Sequence, residues 1–218
     1  MLNFTIIKPQ KILMFFILII IITLVILKMV NSVSNINPHY SKEDGKWVYV
    51  TFNEAVGRKI IDLGVNVDND TFTVLKNKNY AKDKYSVFYK GAIVKEADPN
   101  TFEIVNDEGY SKDAIHVFID RCVVIGANPN TFVCLKFPYS KDDKKIYCGS
   151  IPMFVDNIEE FKVTQSGHER ITQLTKSFLE TNSDYKFIDE NKSSSVFYSL
   201  DSTGETNNQK FKGYKLVE

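Results

Sequence analysis

A unit of about thirty residues recurs along this chain, and it limits the possible folds more than any other feature. Its first half reads Tyr40-Ser41-Lys42-Glu43, Tyr80-Ala81-Lys82-Asp83, Tyr110-Ser111-Lys112-Asp113 and Tyr139-Ser140-Lys141-Asp142. Three variable residues follow each acid. Then comes an apolar triplet: Trp47-Val48-Tyr49, Val87-Phe88-Tyr89, Val117-Phe118-Ile119 or Ile146-Tyr147-Cys148. The second half holds Asp68-Asn69-Asp70-Thr71-Phe72, Asp98-Pro99-Asn100-Thr101-Phe102, Asn128-Pro129-Asn130-Thr131-Phe132 and the worn copy Asn157-Ile158-Glu159-Glu160-Phe161.

Each unit reads as short strands. After the Phe, apolar residues alternate (Phe72 and Val74, Phe102 and Ile104, Phe132 and Cys134, Phe161 and Val163), the period of a half-buried strand. Lys90-Gly91, Asp120-Arg121 and Gly149-Ser150 stand between apolar runs, where a hairpin turn is expected. Pro99 and Pro129 preset φ for the second position of a type I turn, with Asp98 and Asn128 bonding backbone N–H groups ahead of them. Units this small cannot bury an apolar face alone, so they pack on neighbours. The expected fold is an all-β repeat body: about four units of short antiparallel strands forming a curved sheet or solenoid, with a small propeller as the alternative. Phe72, Phe102, Phe132 and Phe161 are expected to stack in one continuous core.

The pattern breaks twice. Extra residues fall between Val50 and Val67. After Val163, Ser166-Gly167-His168-Glu169 has a capping-box spacing, and Ile171, Leu174 and Phe178 follow at helical intervals. This predicts an amphipathic helix over about 168–180, then strands over 185–188, 196–200 and 211–217. Residues 191–195 and 201–210 are expected to be loops.

The first thirty residues differ from the rest. Ile12 to Val30 is apolar apart from Thr23 and Lys28. As a helix it is roughly 28 Å long, close to the hydrocarbon thickness of a bilayer. Lys8 and Lys11 precede it and only Lys28 sits close behind, a bias that places the N-terminus in the cytoplasm and exports the body. The chain thus divides into residues 1–35, a stub and single-pass transmembrane anchor with its linker, and residues 36–218, the repeat domain. Cleavage as a signal peptide, with secretion of the body, is the competing reading.

The Tyr-x-Lys-Asp block, the apolar-aromatic triplet and the Asp-Pro-Asn-Thr-Phe block together resemble the DKNYY repeat family, most clearly from Tyr80 to Phe102. The resemblance extends over about Tyr40 to Val163. Ala114 and Asp143 depart from it, standing where the family name implies Lys. The resemblance implies a bacterial protein, exported or membrane-anchored, and supplies no active site.

The 27 basic and 27 acidic residues cancel, which argues against a nucleic-acid partner. Asp83, Asp113 and Asp142 invite comparison with a ladder of Ca²⁺ ligands, yet a Lys precedes each and no D-x-D-x-D-G loop occurs, so turn chemistry is the plainer reading and no metal or cofactor is expected. The aromatic positions Trp47, Tyr80, Tyr110 and Tyr139, with Tyr40, are candidates for a binding face, although repeated aromatics more often pack a core. Three cysteines leave at least one unpaired. Cys134 and Cys148 fall in apolar columns, and a Cys122–Cys148 disulfide is the alternative. His39, His116 and His168 lie in unrelated contexts, and no catalytic motif is present. The expected function is a membrane-tethered binding or scaffolding module that contacts an envelope polymer or another protein. The alternative is an envelope hydrolase built on two converging carboxylates.

Overall fold

The computed structural model describes Met14 and residues 17–25, 38–53, 55–64 and 66–217. The protein is mostly β, in small antiparallel sheets, with no closed barrel. The first sheet has three strands, His39–Glu43, Lys46–Asn53 and Gly57–Asp62. Three four-stranded meanders follow. The second sheet is Thr73–Val74, Tyr80–Lys82, Val87–Tyr89 and Ala92–Ile93. The third is Glu103–Ile104, Tyr110–Lys112, Val117–Ile119 and Cys122–Val123. The fourth is Val133–Cys134, Tyr139–Lys141, Ile146–Cys148 and Ile151–Pro152.

The same register holds in each. Tyr80 pairs with Tyr89, Tyr110 with Ile119 and Tyr139 with Cys148, while Tyr40 pairs with Tyr49 in the first sheet. The fifth sheet, Lys162–Gln165, Thr203–Glu205, Lys210–Lys212 and Lys215–Leu216, repeats it with Thr203 paired to Lys212. Thr203 therefore stands where the other units have Tyr, inside the region expected to be a loop. An insert separates the first two strands of this sheet. It holds a two-stranded ribbon (Ile171–Leu174 with Ser195–Tyr198), a helix Thr175–Thr181 and a 3-10 turn Ser183–Tyr185.

All three residues of each apolar triplet from the second to the fourth sheet are buried, which one-sided burial cannot explain. The hydrophobic clusters supply the reason. Phe88 and Ala81 face back to Tyr40 and Tyr49 of the first sheet, whereas Tyr80, Val87 and Tyr89 face forward to Phe102 and Phe118 of the third. Tyr110, Val117 and Ile119 in turn meet Tyr147. Alternate side chains leave a strand on opposite faces, so each sheet is covered on both, by the unit before it and the unit after.

The repeated Phe residues are thus equivalent without being in contact. Each occupies a separate layer, meeting the Tyr of the preceding unit edge-on or tilted: Tyr40–Phe72 at 5.7 Å, Tyr80–Phe102 at 5.7 Å, Tyr110–Phe132 at 5.4 Å and Tyr139–Phe161 at 5.4 Å between ring centroids. The expected single core is replaced by four joints, and the single curved sheet by separate ones.

Turn chemistry sets strand length. In the first sheet Asp44 and Gly45 both have positive φ, 50° and 77°, a two-residue hairpin turn that lets pairing run out to Glu43 and Lys46. In later units the acid at the position of Glu43 folds its side chain into the loop, and pairing stops at the Lys. The extra residues after Val50 lengthen both the triplet strand and the strand that follows it, Gly57–Asp62.

The helix predicted over about 168–180 begins later, because Ile171–Leu174 pairs with Ser195–Tyr198. The supposed capping box is held by the Asp201 carboxylate, which accepts the N–H groups of His168 and Glu169. The expected strand at 185–188 is absent, its start belonging to the 3-10 turn. Much of the apolar run 12–30 lies outside the described residues. Residues 17–25 are helical with exposed apolar side chains, and among the described residues no helix is long and apolar enough to cross a membrane.

Phe102 is 6% exposed and meets Tyr80 across a joint and Phe118 of its own unit. Phe102→Ala is expected to lower stability by roughly 3–5 kcal/mol. Glu103→Ala, removing only an exposed carboxylate 3.3 Å from Lys112, is expected to cost less than about 1 kcal/mol. Urea melts of both variants check this, and equal losses would refute the layered packing.

Candidate functional site

The repeated aspartates are structural. Asp83, Asp113 and Asp142 are 3–4% exposed. One oxygen of each accepts the N–H groups two and three residues on, at 2.6–2.8 Å. The other accepts the N–H of Asp68, Asp98 or Asn128, which opens the neighbouring turn of the same unit, at 2.9–3.0 Å. Thr71, Thr101 and Thr131 answer by accepting the N–H of the residue after the aspartate. Each carboxylate thus gathers three backbone N–H groups and holds two turns together. The expected turn caps at Asp98 and Asn128 are present, each accepting the N–H two residues ahead.

The recurring spacing of Tyr and Lys links unit to unit. Tyr80, Tyr110 and Tyr139 are fully buried, and their hydroxyls donate to the carbonyls of Gly109, Pro138 and Gly213 in the following units. Tyr40 does the same to Asn79 and accepts the Gly91 N–H. At Gly91 (φ 81°) a Cβ would lie 2.8 Å from that of Tyr49, so the close joint requires glycine. Lys82 and Lys112 donate to the carbonyls of Pro99 and Pro129 one unit further on. Trp47 stacks on Phe72 at 4.4 Å. Of the four aromatic candidates, the three tyrosines have no exposed area, and Trp47 is partly buried against the first joint.

The three cysteines are free thiols. Cys122 and Cys148 lie in different layers, which is why they do not pair. Burial pushes both thiols up to about 12 and Cys134 to about 11, so none supplies a thiolate at neutral pH.

The accessible features instead lie where the insert meets the stack. Arg170 fastens the insert in place. Its guanidinium donates to Asp120 Oδ1 at 2.8 Å and the Glu108 carbonyl at 3.0 Å, and lies over the rings of Phe137 and Phe197. Beside this clamp runs a groove. Its narrow end, about 80 Å³, lies among Lys95, Arg121, Thr172, Lys192 and Ser195. Past Val123 and Ser193 it widens to about 390 Å³, walled by His116, Ile125, Phe187 and the acids Glu96 and Asp189. Phe187 then meets Phe154 (6.3 Å) and Tyr185 (5.9 Å). Phe154 and Tyr185 border a further depression of about 330 Å³ with Asn182, Asp184, Tyr214 and Lys215. Phe154 and Phe187 are 55% and 56% exposed. Neither belongs to the repeat pattern, so self-alignment passes over both.

The sequence matches the DKNYY family over residues 6–122 and again over residues 93–217. The two segments overlap, as expected for a repeat. The chain belongs to the DKNYY family. Comparison with curated proteins and with solved structures gave no significant match.

Asp142 carries a pH-dependent share of the stability. Burial pushes its carboxyl up, but N–H donors from Asn128, Lys144 and Lys145 and the Tyr147 hydroxyl outweigh this and hold it below the ordinary carboxylate value. A depressed folded pKa adds stability above the unfolded value of about 3.9, which is lost as pH falls through the folded pKa. Asp142→Asn sets an amide N–H₂ against these donors and is expected to cost roughly 1–3 kcal/mol at neutral pH. The gap between urea melts of wild type and variant should start to narrow as pH falls below about 4 and should close only below the depressed folded pKa. A gap that persists in acid would mean that the charge is irrelevant.

Proposed function

We propose that this protein is a membrane-tethered, extracytoplasmic binding module that holds an envelope glycan strand along the groove. The observation that carries this reading is the pair of half-exposed rings, Phe154 and Phe187, set around Tyr185 beside an open depression. Flat aromatic faces suit the apolar C–H faces of sugar rings, and Asn182, Asp184 and Lys215 beside them suit hydroxyls. The Tyr–Phe joints and the aspartate turns make the stack a rigid support.

The tether is supported by the apolar run Ile12 to Val30. In its helical part Leu18, Ile20 and Leu24 are 55–59% exposed, apolar surface that calls for a nonpolar surrounding. Thr23, the polar residue there, donates its hydroxyl to the Ile19 carbonyl at 2.7 Å, as a hydroxyl in lipid must.

Two experiments test the reading. Protease added outside spheroplasts should remove the body and spare the Met1 end, whereas protection of the body overturns the orientation. Full-length protein in nonionic detergent should co-sediment with insoluble cell-wall glycan, and Phe154→Ala/Phe187→Ala should weaken this about tenfold or more without lowering the melting temperature. Equal co-sedimentation of the two proteins refutes the glycan site. Release of soluble fragments during the assay would point to hydrolysis, with Glu96 and Asp189 on the wide stretch as the acids to replace.

A further inference from the structure

The narrow end of the groove has a charge imbalance that the neutral chain does not suggest. Three cations border it, each from a different element. Lys95 follows the last strand of the second sheet, Arg121 sits in the hairpin turn of the third, and Lys192 lies in the loop leading to Ser195–Tyr198. No acid lines this end. Among the described residues none of the three has a carboxylate within ion-pairing distance. The nearest acid in sequence to Arg121, Asp120, is held by Arg170. Glu96 and Asp189 line only the wider stretch, which Lys192 also borders, and there Asp189 accepts the backbone and side-chain N–H groups of Asn191.

Neutral hydrogen-bonding groups complete the arrangement. Thr172, Ser194 and Ser195 line the same end, and their hydroxyls make no hydrogen bond within the chain among the described residues. Like charges brought to one place repel, and folding gains nothing from collecting them without a counter-charge. A guanidinium, two ammonium groups and free hydroxyls around a small hollow are the donors that an oxyanion requires.

From this we infer that the narrow end of the groove is an oxyanion site for a phosphate group. It rests on the groove as the ligand-bearing surface, and it makes the ligand a phosphate-bearing polymer whose charge lies at the Arg121 end and whose sugar faces lie at the Phe154 end.

Inorganic pyrophosphate is the probe, titrated by calorimetry into full-length protein in nonionic detergent. Wild type should bind it, and added sodium chloride should weaken binding. Arg121→Ala/Lys192→Ala should lose about tenfold or more. Lys46→Ala/Lys59→Ala removes as many charges from exposed positions of the first sheet and should change nothing. No binding by wild type, or equal loss in the two double variants, overturns the site. Phe154→Ala/Phe187→Ala should bind pyrophosphate like wild type, so failure of the glycan reading and failure of the oxyanion site give separate signatures. Reconstitution into phosphatidylcholine vesicles with or without phosphatidylglycerol assigns the source of the phosphate. Weaker pyrophosphate binding with phosphatidylglycerol marks a lipid headgroup, and unchanged binding marks a soluble or polymer phosphate.

Discussion

Everything in this fold depends on the joint between one sheet and the next. Strands of two or three residues make too few hydrogen bonds to persist alone, and a small sheet with one buried face is marginal in water. Here every inner sheet is buried on both faces. The Tyr of one unit passes its ring under the Phe of the next and its hydroxyl to a carbonyl beyond. A buried tyrosine hydroxyl left unpaired carries a desolvation cost, so the bond also fixes the spacing of the two sheets. Stability in such an array is largely a sum over neighbouring interfaces, and an interior unit fails if either neighbour is lost.

The buried aspartate solves a second problem created by short strands, which is that most of the backbone lies in turns. Turn N–H groups hidden between layers need acceptors. One carboxylate serves three of them, two in its own loop and one in the adjoining turn. The fifth sheet shows how much of this is chemistry and how much is geometry. Thr206 replaces the aspartate, yet its hydroxyl still accepts the N–H groups two and three residues on. In place of the third bond it donates to Asp156.

What the sequence made legible was what recurs. Tyr, Asp, the triplet and Phe each repeat because each has one task per joint, so self-alignment finds the unit, the hairpin turns and the capped turns. Spacing reports equivalence and not contact, which is why the Phe residues were expected to stack together. Equivalent positions lie one sheet apart, about 10 Å by ordinary sheet packing, beyond ring contact. The fifth unit was hidden because the insert splits it and Thr203 and Thr206 replace its two most recognisable residues. The helix was placed too early because Ile171, Leu174 and Phe178 satisfy helical spacing, whereas β-branched Ile171 and Thr172 find a strand partner in Phe197 and Tyr198 that only the folded chain provides. The groove residues were illegible for the same reason: Phe154, Phe187 and Lys192 recur nowhere and are joined only by the docking of the insert.

A stack of equivalent units presents equivalent surfaces, and equivalence is poor material for a specific site. The insert breaks that symmetry at one place. Phe197 enters the layer of Tyr110 and Tyr147, and its backbone exchanges hydrogen bonds with Ser150. At Gly149 a Cβ would lie 2.3 Å from the Phe197 carbonyl, so the approach needs a glycine there. Arg170 then ties the far side to the third unit. Docked so closely, the insert packs its strand Ser195–Tyr198 beside the last strands of the third and fourth sheets. The same act leaves hollows along the seam, with cations contributed by two repeat units and the insert around the narrow one, and Phe187 and Phe154 lining the two larger ones. Docking of the insert and creation of the hollows are therefore one structural event, and a variant that loosens Arg170 must disturb both together.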